Sequence, residues 1–268
     1  MSKDFLEKNP WSALRRFTNA RIALGRAGNS LPTEPLLAFN LSHAQARDAV
    51  HHPLDADALH EQLRASGFMT LDVHSAAPDR EQYLRRPDLG RRLSDESRVM
   101  LEQGGIESPE VVFVIADGLS AFAASKQSIP LLQAVVARLV DWEIGPVVVA
   151  RQARVALGDE IGELLRTKLV VMLIGERPGL SSPDSLGIYL TYAPKVGCSD
   201  AQRNCISNVR PEGLNYAAAA HKLHYLLMHA RRLGLTGVGL KDNSDVLLES
   251  APTESAVVIA APPKNGEA

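Results

Sequence analysis

Hydrophobic and polar positions change rhythm near residue 110 of this chain. Beyond it, the runs VVFVIA (111–116), PVVVA (146–150) and LVVMLIG (169–175) are apolar throughout, as in strands buried on both faces. The segments between them, SIPLLQAVVARLVDW and GDEIGELLRTK, place apolar residues every three or four positions, as amphipathic helices do. This alternation predicts an α/β fold with a mostly parallel, Rossmann-like sheet flanked by helices.

The flanking regions complete this organisation. LGIYLTY (186–192) adds a strand, and NYAAAAHKLHYLLMHARRLGL predicts a long helix with basic residues at its end, as the helix dipole favours. FMTLDVHS alternates like a strand, and the basic stretch YLRRPDLGRRLSDES resembles a loop. We predict an N-terminal helical arm over residues 1–67, an α/β ligand-binding domain over 68–245, and a disordered Ala-, Pro- and Glu-containing tail over 246–268.

Capping signals define two helices of the predicted arm. Asn9-Pro10 fits an N-cap followed by proline in the first helical position, and WSALRRFTNARIALGRAG continues as a helix until Gly25 and Gly28. Asp55 caps a second helix, which Gly67 ends.

Polar residues follow three successive apolar strands. VVFVIA leads to Asp117-Gly118, PVVVA to Arg151-Gln152, and LVVMLIG to Glu176-Arg177 within GERPGL. Ligands of open parallel sheets bind at the carboxyl ends of the strands. The sequence therefore predicts a binding crevice at this edge of the sheet.

Composition narrows the classes of partner. The chain has 268 residues, of which 29 are basic and 31 acidic, so no overall positive charge favours nucleic acid. No apolar stretch approaches the roughly 20 residues that cross a bilayer, and MSKDFLEKNPWSALRR lacks the apolar core of a secretion signal. Two cysteines, Cys198 and Cys205, cannot form a disulfide framework, which indicates a cytosolic protein.

Several weak motifs favour structural over chemical roles. His221 and His224 stand three apart on a predicted helix, without the carboxylate pairing of a metal site. DVHSAA lacks the glycine of the Asp-x-His-x-x-Gly cobalt-ligand motif, so His74 is interpreted as an ordinary strand residue. Gly237-Val238-Gly239 does not match a dinucleotide loop, and DGLS lacks the G-x-S-x-G frame of a serine nucleophile. We expect no catalytic residue and no metal ligand in this chain.

Two residues keep both interpretations open. Cys205, in RNCISN, is either a small core residue or a functional thiol. Glu176 lies at the carboxyl end of a predicted strand, where a carboxylate either pairs with a neighbour such as Arg177 or accepts hydrogen bonds from a ligand.

Six segments, in order and spacing, resemble the small subunit of ethanolamine ammonia-lyase over roughly residues 9–240. They are PWSALRRFTNARIALGRAG, YLRRPDLGRRL, VVFVIADGLS, ARVALGDEIGELL, KLVVMLIGERPGL and NCISNVRPEGL, of which GERPGL and RNCISN are the most specific. The resemblance implies an adenosylcobalamin-dependent bacterial enzyme of ethanolamine catabolism. That enzyme is a hetero-oligomer, and it converts ethanolamine to acetaldehyde and ammonia through radicals formed by homolysis of the cobalt–carbon bond.

The resemblance also implies which subunit carries out catalysis and which binds the cofactor. A large TIM-barrel subunit binds ethanolamine and carries the catalytic residues, and the small subunit holds the adenosylcobalamin against it. By position, the family's cofactor-binding residues correspond to Val155, Glu176 and Cys205. The implied location is the bacterial cytoplasm, with a protein-shelled microcompartment as an alternative that some members reach through a longer N-terminal extension. Here NPWSALRR begins at residue 9.

Two other functions remain as alternatives. A stand-alone nucleotide-binding α/β oxidoreductase would require a glycine-rich phosphate loop after its first strand, which DGLS matches poorly. If the chain is a structural adaptor, the polar residues at the strand ends have no role in binding a ligand. If the chain is an ammonia-lyase small subunit, the basic YLRRPDLGRRL stretch and the N-terminal arm are candidate interfaces with the large subunit. The alternative for the basic stretch is a solvent-exposed face without a partner.

Overall fold

A computed structural model describes residues 6–105 and 108–244 of the chain. Its strands are β1 (Leu6–Glu7), β2 (Arg26–Ala27), β3 (Thr70–His74), β4 (Val111–Ala116), β5 (Val147–Arg151), β6 (Leu169–Gly175), β7 (Leu186–Tyr192) and β8 (Arg203–Val209). Its α-helices are α1 (Thr33–His51), α2 (Ala56–Ala65), α3 (Arg80–Arg85), α4 (Asp95–Gln103), α5 (Ala121–Val136), α6 (Leu157–Leu164) and α7 (Tyr216–Leu233). Short 3-10 helices span Pro10–Phe17, Leu89–Arg91, Asp200–Gln202 and Gly237–Gly239.

Six strands form the central sheet, in the order β3-β5-β4-β6-β7-β8. The first four are parallel, whereas β7 and β8 run antiparallel to their neighbours. The loop over 176–185 contains no helix, and so short a connection returns the chain antiparallel, since a parallel crossover needs a dozen or more residues. The predicted α/β class is confirmed, with a sheet that is more mixed than the apolar runs indicated.

Alternating side chains of the strands divide the core into two layers. In β4, Val111, Phe113 and Ile115 pack toward α2, α5 and α7, and the intervening residues pack toward α4 and α6. Every residue of β4 and β6 is buried. Continuous apolar strands follow directly from this three-layer arrangement, because neither face of these strands contacts water.

Local capping residues set the helix ends, and for α2 they are the ones that the sequence predicted. Asp55 Oδ1 accepts a hydrogen bond from the Ala58 amide at 3.0 Å, and Gly67 follows α2 with φ +85°. Asn215 caps α7 in the same way, and Gly234 ends that helix in the left-handed conformation.

Two predictions about helical segments were wrong, one of them only in part. The arm helix is a 3-10 helix over Pro10–Phe17 that buries no residue, and residues 18–25 contain no helix. A helix this short is stabilised chiefly by packing an apolar face, and none of these side chains is buried by the described residues. The basic stretch predicted as a loop is loop and 3-10 helix over residues 86–94, but its two ends lie in α3 and α4, which Asp79 and Ser94 cap.

The proposed division of the chain at residue 67 stays a prediction. Leu59 and Leu63 of α2 belong to the main core cluster, whereas Ala49 is the buried residue of α1. The predicted tail over 246–268 lies outside the described residues.

Candidate functional site

The three polar strand ends meet at the carboxyl edge of the sheet. Asp117, which follows β4, accepts hydrogen bonds from the Gln152 amide at 2.9 Å and the Ala153 amide at 3.0 Å, both after β5. The Leu119 amide donates to the Gly175 carbonyl, at the end of β6, at 2.9 Å. The turns after β4, β5 and β6 are therefore joined into one polar rim, as predicted.

Two glycines allow the turns after β4 and β6 to touch backbone to backbone. Gly118 has φ +54°, and a Cβ atom added there would lie 2.2 Å from the Gly175 carbonyl oxygen. A Cβ atom at Gly175 would lie 2.0 Å from the Ser120 carbonyl oxygen. No other residue fits either position without moving the backbone.

Arg80, at the start of α3, binds this rim from outside the sheet. Its Nη1 atom donates to Asp117 Oδ2 at 3.3 Å and to the Gly118 carbonyl at 2.9 Å, and its Nε atom donates to the Val50 carbonyl at 2.7 Å. Burial raises the pKa of Asp117, and the Arg80 guanidinium and backbone amides oppose that shift. Arg80 thus fixes α1 to the strand ends, a role that the sequence did not indicate.

Tyr83 forms a buried wall beside the rim. Its hydroxyl donates to the Ala153 carbonyl at 3.0 Å, and the Arg80 and Arg154 guanidinium carbons lie 4.7 Å and 4.3 Å from its ring centroid. Burial raises the pKa of Tyr83, so the phenol stays protonated. Sequence reasoning missed this residue, because an aromatic within a basic, loop-like stretch gives no signal of burial.

A pocket of about 430 Å³ opens at the rim. Its wall includes Val155 and Glu176, two of the three residues that the resemblance singled out. The full lining is Tyr83, Gly118, Leu119, Arg154, Val155, Ile174, Gly175, Glu176, Arg177 and Tyr189. Chain segments that are distant in sequence thus meet in one crevice, where ligands of such sheets bind.

Glu176 is held in place by its neighbours. Ser185 Oγ donates a short hydrogen bond to Glu176 Oε2, and the Asn208 amide donates to the same oxygen at 3.3 Å. Gly187 leaves the space that this side chain occupies, since a Cβ atom there would lie 3.1 Å from Glu176 Oε1. Within the described part of the chain, Oε1 has no hydrogen-bond partner and can accept one from a ligand.

Cys205 lies beside the pocket. It is an exposed residue of β8, paired in register with Tyr189, which lines the pocket. Burial and the adjacent Cys205 thiol raise the pKa of Tyr189, so this phenol remains a neutral donor. The structure therefore brings Val155 and Glu176 to one pocket and places Cys205 next to it through Tyr189. Exposure removes the interpretation of Cys205 as a core residue.

A larger pocket of about 950 Å³ lies at the opposite, amino-terminal edge of β3 and β5. Phe68, Met69, Ile144 and Pro146 are among the residues that line it. Polar strand ends do not converge there, and ligands of open α/β sheets bind at the other edge. We therefore assign the candidate site to the smaller pocket.

The other sequence motifs have structural roles. Ser120 caps α5 and donates to the Pro183 carbonyl at 2.9 Å, and His74 lies in β3 with its Nδ1 atom 2.7 Å from the Ser75 carbonyl. Within residues 6–105 and 108–244, no three His, Cys, Asp or Glu side chains cluster closely enough to hold a metal ion. Among the same residues, no helix has the length and apolarity needed to cross a membrane.

The N-terminal arm contacts the loop after β6, which begins at Glu176 of the pocket wall. Arg21 Nη2 donates to the Leu180 carbonyl of the GERPGL segment at 3.2 Å. Trp11 and Phe17 nevertheless remain 67% and 72% exposed. An arm attached to the site loop, with large apolar side chains facing outward, is typical of a surface that binds another protein.

Comparison with known proteins extends over almost the whole described chain. Residues 8–241 match the family model described as ethanolamine ammonia-lyase light chain. A protein of Ralstonia nicotianae named ethanolamine ammonia-lyase small subunit is 57% identical over 249 residues, which cover 91% of this chain and 92% of the relative. Proteins with the same name from Azotobacter vinelandii (56% identical; 89% of this chain, 90% of the relative) and Pseudomonas aeruginosa (54%; 91% of each) are also similar. The chain therefore belongs to the ethanolamine ammonia-lyase light-chain family.

Proposed function

We propose that this chain is the small subunit of an ethanolamine ammonia-lyase and holds adenosylcobalamin against a large catalytic subunit. The observation that carries the proposal is the pocket at the carboxyl edge of the sheet, lined by Val155 and Glu176, in a chain of this family. The assembled enzyme converts ethanolamine to acetaldehyde and ammonia. Its expected location, the bacterial cytoplasm with or without a microcompartment, stays a prediction.

The residues of the pocket suit a corrin. A corrin is a broad apolar ring with a fringe of amide groups, so it is held by apolar contacts and many single hydrogen bonds. Val155 supplies an apolar wall, and Glu176 Oε1 offers a fixed acceptor for an amide N–H. The Tyr189 hydroxyl and the Cys205 thiol extend this surface along β7 and β8.

Radical chemistry would come from adenosylcobalamin when it is bound. This chain's residues bind and orient the corrin and keep water from the reacting face. No side chain at the rim is assigned as an acid, base or nucleophile. The Asp117 carboxylate already accepts hydrogen bonds from two backbone amides and Arg80. The Ser120 hydroxyl caps α5 and donates to the Pro183 carbonyl.

The exposed arm supports binding to a large subunit. Because Arg21 attaches the arm to the loop that carries Glu176, a protein that covers Trp11 and Phe17 also lies beside the pocket mouth. We propose that this protein is the TIM-barrel subunit, which binds ethanolamine, so that the cofactor lies between the two chains.

Substituting Glu176 tests the proposed cofactor contact. We expect Glu176→Ala to weaken adenosylcobalamin binding by about tenfold in the assembled enzyme, since a hydrogen bond to a charged acceptor is lost. Absorbance titration of the corrin measures the affinity. Glu61→Ala, on the exposed face of α2, is the matched control and should leave it unchanged.

The outcome against the proposal is equally clear. Unchanged affinity in Glu176→Ala, with circular dichroism and assembly like those of the wild type, would falsify the assignment of Glu176. An assembled wild-type enzyme that binds no corrin would remove the proposed function as a whole.

A further inference from the structure

A second pocket, which we name the arginine pocket, adjoins the candidate site. It has a volume of about 590 Å³ and shares Arg154 and Val155 with the first pocket. Its lining is Pro87, Arg91, Arg92, Arg154, Val155, Ala156, Asp159, Val196, Gly197, Cys198, Ser199, Asp200 and Arg203. A ligand that contacts Val155 therefore lies at the junction of the two pockets.

Two of the four arginines in this pocket pair with carboxylates of the protein. Arg203 forms a buried bidentate pair with Asp159, in which its Nη2 atom lies 2.7 Å from Asp159 Oδ2. Arg92 donates to Glu160 at 3.1 Å. Arg203 Nε also lies 3.5 Å from Asp200 Oδ1, so this guanidinium is fully engaged. Arg92, by contrast, shares Glu160 with Arg98, whose Nη2 atom lies 2.8 Å from that carboxylate.

The other two arginines have no carboxylate partner among the described residues. Arg154 is held in place: its backbone amide donates to the Gly90 carbonyl at 2.8 Å, its Nη2 atom donates to the Tyr83 carbonyl at 3.3 Å, and its guanidinium stacks on the Tyr83 ring. Its Nη1 atom has no hydrogen-bond partner within that part of the chain. Arg91 is the last residue of the adjacent 3-10 helix, Leu89–Arg91, and its side chain is exposed. The pocket thus carries two guanidinium groups that no carboxylate of the described residues pairs with.

Such a pair of guanidinium groups favours a phosphate. Arginine presents its N–H donors in a planar fork that matches phosphate oxygens, and its contacts with anions are stronger than those between neutral groups. A guanidinium that is already stacked on an aromatic ring loses little freedom on binding. The pocket is therefore built for one anionic group of a ligand whose larger part occupies the neighbouring site.

We propose that the arginine pocket binds the phosphodiester in the nucleotide tail of adenosylcobalamin, through Arg154 and Arg91. This inference rests on the proposed function. The adenosyl group must face the chain that holds the substrate, and the nucleotide tail leaves the corrin on the opposite face. That face consequently turns toward this chain, whose two pockets meet at Val155.

Two corrinoids that differ in the tail test the inference. Adenosylcobinamide keeps the corrin and the adenosyl group but lacks the phosphodiester, ribose and base. For adenosylcobalamin, we expect Arg154→Gln to weaken binding to the assembled enzyme about tenfold, and Arg91→Gln, at an exposed site, about threefold. For adenosylcobinamide, neither substitution should change the affinity, which absorbance titration measures for both ligands.

Controls separate the possible failures. Arg232→Gln, on the exposed end of α7, should change neither affinity. If Arg154→Gln disrupts folding, Arg91→Gln still decides the question, because its side chain is exposed and makes no hydrogen bond or ion pair among the described residues.

Equal losses for both corrinoids, or no loss for adenosylcobalamin, would overturn the inference but leave the proposed function intact. Weaker subunit assembly, with the enzyme that still assembles binding both corrinoids like the wild type, would also overturn the inference and assign the arginines to a carboxylate of the partner. If the wild-type assembly binds neither corrinoid, both the proposed function and this inference fail.

Discussion

At the scale of single residues, close backbone contacts and buried charge pairs build the candidate site. Gly118 and Gly175 let two turns touch, and the Asp117 carboxylate joins the turns after β4 and β5. Arg203 and Asp159 lie at the border of the arginine pocket with side chains only 2% and 1% exposed. Each of these contacts predicts a measurable loss of stability when one member is changed.

Gly118→Ala should destabilise the fold more than its backbone angle alone explains. A left-handed φ costs a non-glycine residue about 1 kcal/mol, and the clash with Gly175 adds about 1–3 kcal/mol. Gly28→Ala is the control, because Gly28 has φ +60° but nothing within 4 Å of an added Cβ atom. Urea denaturation measures the stability of both variants. Equal losses would show that the turns at Gly118 and Gly175 can move apart without a cost in free energy.

Arg203→Met should destabilise the chain by about 3–5 kcal/mol, since it leaves Asp159 buried without its partner. The Arg26–Glu7 pair provides the control, because both side chains are about two-thirds exposed, at 66% and 65%. Arg26→Met should leave the urea midpoint nearly unchanged. A small effect of Arg203→Met would mean that water reaches Asp159.

At the scale of elements, packing decides which amphipathic segments become regular helices. Helix α7 buries Leu223, Leu226 and Leu227 against the sheet and α5, and it extends from its Asn215 cap to Gly234. The Pro10–Phe17 segment has a cap and apolar residues but buries none of them against residues 6–105 or 108–244, and it forms a 3-10 helix. Capping signals start a helix, but buried area determines its type and length.

His224 makes the stability of α7 sensitive to pH. Burial and the positive charges of Arg138 and His221 lower the pKa of His224 below its usual 6.5. The unfolded chain therefore binds this proton more readily than the folded chain, and stability falls as pH decreases through 6.5. His224→Gln should reduce the difference between urea midpoints at pH 8 and pH 5.5. A variant with the same pH dependence as the wild type would exclude His224 as its source.

At the scale of the whole molecule, polar strand ends, both adjoining pockets and the arm lie on the carboxyl side of the sheet. Arg21 connects the arm to the loop after β6, and Arg80 connects α1 to the turn after β4. The exposed apolar side chains of the arm and the candidate site thus lie on the same side of the sheet. This arrangement favours a ligand enclosed between two chains.

Replacing the exposed aromatic residues of the arm should weaken assembly without unfolding the chain. Trp11→Ser combined with Phe17→Ser removes side chains that contribute little to the core, so the thermal midpoint should stay near that of the wild type. Affinity for the large subunit should fall about tenfold or more, because buried aromatics dominate interface energetics. Calorimetric titration with the large subunit measures it.

Met69→Ser combined with Val238→Ser is the matched control, since these side chains are 73% and 82% exposed elsewhere on the molecule. Equal affinities for the arm variant and this control would show that the arm is not the interface.

Elements encoded by neighbouring residues were accessible from the chain alone. The apolar runs of β4, β5 and β6, the Asp55 cap and the convergence of strand ends follow from periodicity and capping, which depend on residues close in sequence. GERPGL and RNCISN likewise carried the family resemblance, which the match over residues 8–241 confirmed.

Contacts between distant residues required the folded molecule. Arg80 and Asp117 are 37 positions apart, and Tyr189 meets Cys205 because β7 and β8 pair antiparallel. Such pairs depend on strand order and on how the layers pack, to which every segment contributes. The local sequence pattern therefore predicted a ligand site at the carboxyl edge of the sheet. The packing of distant segments determined which side chains form the wall of the candidate site.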